Sequence, residues 1–575
     1  MSTNVIQEHK NLMTTKYFVI PCHYNTESTI SFCLKISKTE IQLKQTHARL
    51  LKTLIHSSHQ LHHLLTQLLK LPSKKLSYAR NLFDQIPQSE KNECIWTSLI
   101  RAHTLCDEFK CAVLLYRRMH EMGVLASGFT FSSVLNACAR IPAVREGKMI
   151  HASVVESGFM GSKVIGTTLV DMYGKCGLIE DARRVFDEMV DRDVVAWTAM
   201  VSGYTKMDLM REARALFDVM QERNVVSWTS MVAGYANVGE INEAKALYDQ
   251  MPIRNTITWI AMIAGYGKVG NVLGAEKVFD EINVKDESCW GAMIACYSHN
   301  GYLKEAIEMY KRMRELNVKA NEVAMVGVIS ACTQLGDAEM AHSLTEHVEE
   351  GSCDRTLILS NALIHMYAKC ASIDQALLEF SKMHERDVIT YGALITALAD
   401  HGRPQEALEL FSKMQKKGIQ PNKVTFLGVF NACSYAGLVE QGCKYFKLMT
   451  TTCMIEPSTE HISCMVDLLG RAGKLNEAYK LILENTGASR DAGAWGALLG
   501  ACAVHGNVEL GEISAQRLFE IEPDNSGNYV LLANIYASVR RWDDAARVRT
   551  TLSERRMSKT VGYSWIKEEN GARTF

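Results

Sequence analysis

An all-α fold, a right-handed α-solenoid superhelix of stacked antiparallel helix pairs, is what this sequence predicts, and two observations carry it. The phrase RDVVAWTAMVSGYTK at residues 192–206 returns as RNVVSWTSMVAGYAN at residues 223–237, with 31 residues between Trp197 and Trp228. A fixed internal period overrides domain counting by length, because repeats stack into one elongated body. Composition is the second observation: 47% hydrophobic, 22% charged and only nine prolines in 575 residues. Such a chain can bury most of itself in regular structure, and its wealth of Ala, Leu, Met, Glu and Lys makes that structure helical.

The elements follow in order. Residues 1–38 contain MTTKYFVI and are rich in Ser and Thr, with no arginine and only Glu8 and Glu27 as acids. They read either as an organelle transit peptide or as a merely disordered leader. Residues 39–92 hold degenerate repeats, in LKQTHARLLKT and LSYARNLFDQIP. Regular units fill residues 93–491, beginning at Glu93, Gly128, Lys163, Val194, Val225, Thr256, Glu287, Glu322, Leu357, Val388, Lys423 and Thr459, with lengths that cycle near 35, 35 and 31.

Within a unit, Trp197, Val201 and Tyr204 stand at i, i+4 and i+7, along one face of a first helix. Ala213, Leu216, Phe217 and Met220 do the same for a second helix. Glycine punctuates the turn between them, as in YANVGEINEA and YGKVGNVLGA, supplying the left-handed conformation of a helix end. Ala213, Ala244, Ala275 and Ala306 recur at one place, where a small side chain lets helices approach closely. One helix pair cannot bury its own apolar face, so neighbours must stack. Trp197, Trp228, Trp259 and Trp290 share the face of the buried aliphatics and are read as packing residues rather than base-stacking ones. Helical pairs continue through residues 492–559, where Leu531, Leu532, Ile535 and Tyr536 share a face, and the chain closes on SWIKEENGARTF.

The formal net charge of −1 argues against holding nucleic acid by bulk positive charge. Residues 1–92 carry a net +7 and the remainder −8, so any nucleic-acid binding must come from placed residues in a groove. Seventeen cysteines are scattered, some at one repeat position such as Cys176 and Cys370, which fits buried free thiols better than disulfides. No apolar run reaches the roughly 18 residues of a membrane span.

The phrases VVSWTSMVAGYANVGEINEAKALYDQM, LVDMYGKCGLIEDARRVFDEM and VTFLGVFNACSYAGLVEQGCKYFKLM resemble the pentatricopeptide repeats of land-plant organelle proteins. The alternation of 35, 35 and 31 residues is similar to the PLS subclass, and HISCMVDLLGRAGKLNEA to its last short repeat. The stretch from GAWGALLGACAVHG to WDDAARVR resembles the E extension of RNA-editing factors, over residues 492–559. GYSWIKEENGARTF, in residues 560–575, resembles the truncated start of a further extension. The resemblance implies binding of single-stranded organelle RNA, in the mitochondrion or alternatively the chloroplast, to specify cytidines for C-to-U editing.

One base per repeat, read by two or three side chains, is the mode expected of such a solenoid. Reading residues must be polar, recur at a fixed place and vary, which selects the fifth and the last residue of each unit. A carboxylate at the last position can only accept and suits the ring N–H of G or U; an Asn there can donate, which suits A or C. From the resemblance, Ser or Thr at the fifth position goes with purines and Asn with pyrimidines. Thr167 with Asp193 then implies G, Thr198 with Asn224 A, Thr229 with Asn255 A, Asn361 with Asp387 U, and Ser463 with Asp491 G. Thr97 with Ser127 is ambiguous. Ile260 with Asp286, Gly291 with Asn321 and Gly392 with Asn422 lack a polar fifth residue and are read as tolerant, while Val326 with Thr356 and Leu427 with Ser458 are read as spacers. The competing reading makes each terminal Asp or Asn a plain N-cap. By resemblance the RNA runs parallel to the chain, the last short repeat lying four nucleotides before the edited base, so the inferred site is G-A-A-N-N-N-U-N-N-G-N-N-N-C.

Deamination of cytidine needs a zinc-bound water, with an H-x-E and a P-C-x-x-C pattern. The chain has no C-x-x-C, and its lone H-x-E, at His347 to Glu349, falls inside a repeat helix. The protein is therefore expected to be no enzyme and to need no cofactor or metal. A deaminase-bearing partner would be recruited in trans through residues 492–575, with other editing-complex proteins as further partners and no membrane. Two other functions compete: an RNA factor for splicing, stability or translation, and a protein-binding helical scaffold.

Overall fold

The computed structural model describes residues 76–87, 91–349, 355–370, 372–485, 487–554, 565–568 and 571–574. The leader at residues 1–38, and the degenerate repeats up to residue 75, lie outside the described residues. Contacts divide the chain into two compact units, residues 1–274 and 275–575. In each, the fold is an α-solenoid of antiparallel helix pairs. The first helix of a repeat packs on its own second helix and on the first helix of the next repeat, as Val194–Lys206 does on Met210–Val219 and on Val225–Val238.

The repeated phrase explains the junctions. Arg192 donates from Nε to Phe186 O and from a terminal nitrogen to Asp187 O, both at 2.7 Å, bonding carbonyls of the last turn where the helix Ile179–Glu188 ends. Its guanidinium also lies over the Phe186 ring, 5.0 Å from the centroid. Arg223 repeats this on Phe217 and Asp218. The next residue, Asp193 or Asn224, caps the following helix through its side chain. Gly239 ends the helix Val225–Val238 at φ 87°, whereas Asp208 takes the equivalent bend at φ 57° after Val194–Lys206.

Burial corrects the helical-face reading. In Val194–Lys206 the covered positions are Ala196, Thr198, Met200, Val201 and Gly203, while Trp197 and Tyr204 are only half covered. A first helix is flanked by two neighbouring first helices as well as its own partner, so the side chains aimed between those neighbours go deepest, and the bulky rings of Trp197 and Tyr204 stay at the margin. An added Cβ at Gly174 would meet Gly203 Cα at 3.3 Å. The tryptophans still pack: Trp197 meets Phe186 edge-on at 5.0 Å and Trp228 meets Phe217 at 4.9 Å. Trp228 and Trp259 are half-buried, and Trp290 is buried. Ala213, Ala244, Ala275 and Ala306 are fully buried.

The second units of the C-terminal part close on a core that includes Trp495, Leu498, Leu518 and Ile535. Past it, Trp565–Glu568 pairs antiparallel with Gly571–Thr574, Trp565 facing Thr574. These two short strands add β-structure to a chain whose sequence predicts an all-α fold. Among the described cysteines all are free, and burial pushes the Cys138, Cys289, Cys332 and Cys433 thiols up to about 12. No helix among the described residues is long and apolar enough to cross a membrane.

Candidate nucleic-acid interface

Each terminal residue of a repeat is an N-cap, and in several repeats it also touches the fifth residue of its own unit. Asn224 Oδ1 accepts from Ser227 N at 2.8 Å and from the Thr198 hydroxyl at 3.3 Å. Asn255 Oδ1 accepts from Thr258 N at 2.9 Å and from the Thr229 hydroxyl at 3.5 Å. Asn361 Nδ2 donates to Asp387 Oδ1 at 3.3 Å, and Ser463 donates to Asp491 Oδ2 at 3.2 Å. Capping and side-chain pairing are thus two uses of one group.

Capping also settles which end of the amide faces outward. With Oδ1 of Asn224 or Asn255 taken by the cap, the NH2 is the end left to meet a ligand edge, and it can only donate. Asp193 uses Oδ1 for Val195 N and Ala196 N at 3.1 and 2.9 Å, so Oδ2 remains as acceptor, 3.9 Å from Lys163 Nζ. At Asp387, burial works against ionisation, but hydrogen bonds from Thr390 and Asn361 outweigh it and hold the carboxyl below its usual range.

Other pairs are not made. The Thr167 hydroxyl is buried without a hydrogen-bond partner and does not bond Asp193, whose cap points its oxygen into the next helix. Thr97 and Ser127 are bridged by Thr130, at 2.6 and 3.1 Å. Asp286, Asn321 and Asn422 cap their helices. Thr198 and Thr229 are themselves buried, and their hydroxyls also donate to the helical carbonyls of Val194 and Val225.

Beside these pairs runs a feature that the sequence reading missed. In most repeats the second residue is apolar and faces solvent: Phe129, Val164, Val195, Val226 and Ile257 in the first compact unit, and Val323, Ile358, Ile389 and Val424 in the second, all between 52% and 75% exposed, with Ser288 and Glu460 as polar exceptions. Each lies two residues after a cap residue, so polar pairs and apolar knobs recur together in most repeats.

The sequence matches the PPR repeat at residues 94–124, 167–194, 195–225, 226–255, 257–286 and 288–318, and the PPR repeat family at residues 386–434. A putative pentatricopeptide repeat-containing protein of Arabidopsis thaliana is 48% identical over 534 residues, covering 92% of this chain and 96% of that one. The chain belongs to the pentatricopeptide repeat family.

An E motif matches residues 505–567 and places this pentatricopeptide repeat protein in the E subgroup of the PLS class. Two further Arabidopsis pentatricopeptide repeat-containing proteins, one named mitochondrial and one chloroplastic, are 36% and 33% identical over 86% of this chain. The chain spans 62% and 61% of their lengths. A crystal structure of the pentatricopeptide repeat protein PPR10 from maize aligns with a TM-score of 0.51 at 16% identity, covering 97% of this chain and 91% of that one, a likeness in fold.

In this pentatricopeptide array the exposed apolar row lies two residues after the caps, mostly at Val or Ile, residue types that the sequence by itself does not separate from the buried aliphatics. The lone H-x-E falls in the helix Ala338–Glu349, as expected.

Proposed function

We propose that the protein is a sequence-specific binder of single-stranded organelle RNA, and that it selects cytidines for C-to-U editing. One observation carries the reading: variable polar pairs at a fixed place, most of them flanked by solvent-facing apolar knobs. A base inserted between Val195 and Val226 would have an apolar surface on both faces, and its edge would meet the pair Thr198 and Asn224. Stacking holds any base, since every base has an apolar face. Edge hydrogen bonds choose among them.

The capping geometry supports the assignments. An outward NH2 at Asn224 and Asn255 suits N1 of adenine, and an outward carboxylate oxygen at Asp193, Asp387 and Asp491 suits the ring N–H of G or U. The proposed target remains G-A-A-N-N-N-U-N-N-G-N-N-N-C. Domain limits follow the sequence reading: repeats through residue 491 and an E extension over residues 492–559. The last 84 residues, 492–575, are assigned the recruitment of a deaminase-bearing protein in trans. The mitochondrion is the proposed location and the chloroplast the alternative, since relatives carry both names.

The decisive experiment compares C-to-U conversion across organelle transcripts of plants with and without the protein, together with binding of a synthetic RNA of the proposed register. Loss of conversion at a site matching the register is expected. Unchanged editing with altered transcript processing would instead make it a splicing or stability factor, and binding indifferent to replacing A-A by C-C would sink the base assignments.

A further inference from the structure

The repeat beginning at Val388 departs from its neighbours at the place where a base would enter. Its fifth residue is Gly392, and a cleft opens over it between Ile389 and Val424, with Thr396 and Asn422 in the lining. Packing does not require that glycine: an added Cβ would come no closer than 3.4 Å to Thr425 Oγ1. Gly291, the equivalent residue three units earlier in the array, is different, since a Cβ there would lie 2.7 Å from Asn321 Oδ1. The missing side chain at Gly392 therefore appears as open depth.

Of the polar groups lining this cleft, which include His365, Lys369, Asp400 and His401, two bear on a base edge, Asn422 and Thr396. Asn422 Oδ1 accepts from Thr425 N and from the Thr425 hydroxyl, both at 2.9 Å, so its NH2 is the end available to a ligand. The Thr396 hydroxyl is covered and has no hydrogen-bond partner. The residue facing it from the next repeat is Gly428, whose added Cβ would lie 2.7 Å from that oxygen. In the repeat of Val194 the corresponding Ser202 is satisfied by Ser230 at 2.8 Å. A buried hydroxyl without a partner is destabilising, and a ligand group that bonds it relieves that.

We propose that this slot is an adenine site, not a tolerant one. The claim rests on reading the array as a base-by-base RNA binder. Depth over Gly392 suits the longer purine, whose Watson–Crick edge reaches further from the backbone than that of a pyrimidine. The Asn422 NH2 donates to N1 of adenine, whereas guanine and uracil turn a ring N–H toward it. A rotation about the Thr396 Cα–Cβ bond, between the two rotamers that helical threonine populates, brings its hydroxyl to accept from the N6 amino group. The nucleotide after the U of the proposed target is then A.

The test is binding of the full chain to four synthetic RNAs of the proposed register that differ only at this nucleotide. Adenine is expected to bind about tenfold tighter than C, G or U, the discrimination typical of one edge-reading pair. Gly392→Asn, which fills the floor, should move the preference to C, and Gly392→Ala, which the space admits, serves as the variant certain to fold. Thr396→Val should cut the advantage of A severalfold while leaving the response to the A-A step unchanged. Equal binding of all four bases, with the A-A step still discriminated, overturns the proposal alone. Indifference at both places overturns the reading of the array, and an unchanged preference in Thr396→Val overturns the role given to that hydroxyl.

Discussion

Asn224 uses its two ends for different purposes. The oxygen holds the first turn of the next helix, which leaves the NH2 for the base edge in the proposed reading. Exchange for Asp keeps the cap, because both residues are strong N-caps, yet replaces an outward donor by an acceptor. Asn224→Asp is therefore expected to melt within about 0.5 kcal/mol of the native protein while its slot turns from A to G. Titration with the two RNAs should show a swing of about 1–3 kcal/mol. Asp387 adds a pH dependence. Its folded pKa lies below the unfolded value near 3.9, so its contribution is full above that pH and is lost as pH falls through the folded value. Thermal melts of Asp387→Asn and the native chain should accordingly differ more at pH 7 than at pH 3.

At the scale of elements, stability depends on how closely first helices approach. Gly174 and Gly203 let the helices Lys163–Lys175 and Val194–Lys206 come together backbone to backbone. A methyl group at position 174 would press on a Cα, which cannot swing aside as a side chain end can. Gly174→Ala is expected to cost about 1–3 kcal/mol, read from the urea midpoint at unchanged slope. The exposed knobs should behave in the opposite way. Val195→Ala removes surface that is already 54% exposed, so stability should hold, whereas RNA affinity should fall by up to about 1 kcal/mol from lost apolar contact. Base preference should stay as it was, and a changed preference would argue against a stacking role for Val195.

At the scale of the whole molecule, neighbour-only contacts make the array nearly one-dimensional. Deleting residues 194–224, one complete 31-residue unit, should leave a folded chain whose best RNA lacks one A. Retention of the original target length would contradict one base per repeat. Because ligands stabilise the state they bind, the matched RNA at a hundredfold excess over Kd should raise stability by about 2.7 kcal/mol. An RNA with C-C in place of A-A should raise the melting temperature less at the same concentration.

Helix pairs, caps and turns were legible because they are local. A 3.6-residue period, an Asn or Asp before a helix and an Arg before the cap act over a few residues, and the 31-residue echo repeats them. Pairing of Thr198 with Asn224 was readable from their fixed places, and the failure of Thr167 to reach Asp193 was not. Partial exposure of Trp197, the solvent-facing row at Val195 and the cleft over Gly392 were equally hidden. Each depends on how three helices from adjoining repeats pack, so the side of a helix that is left open to solvent is settled by its neighbours and not by its own residues.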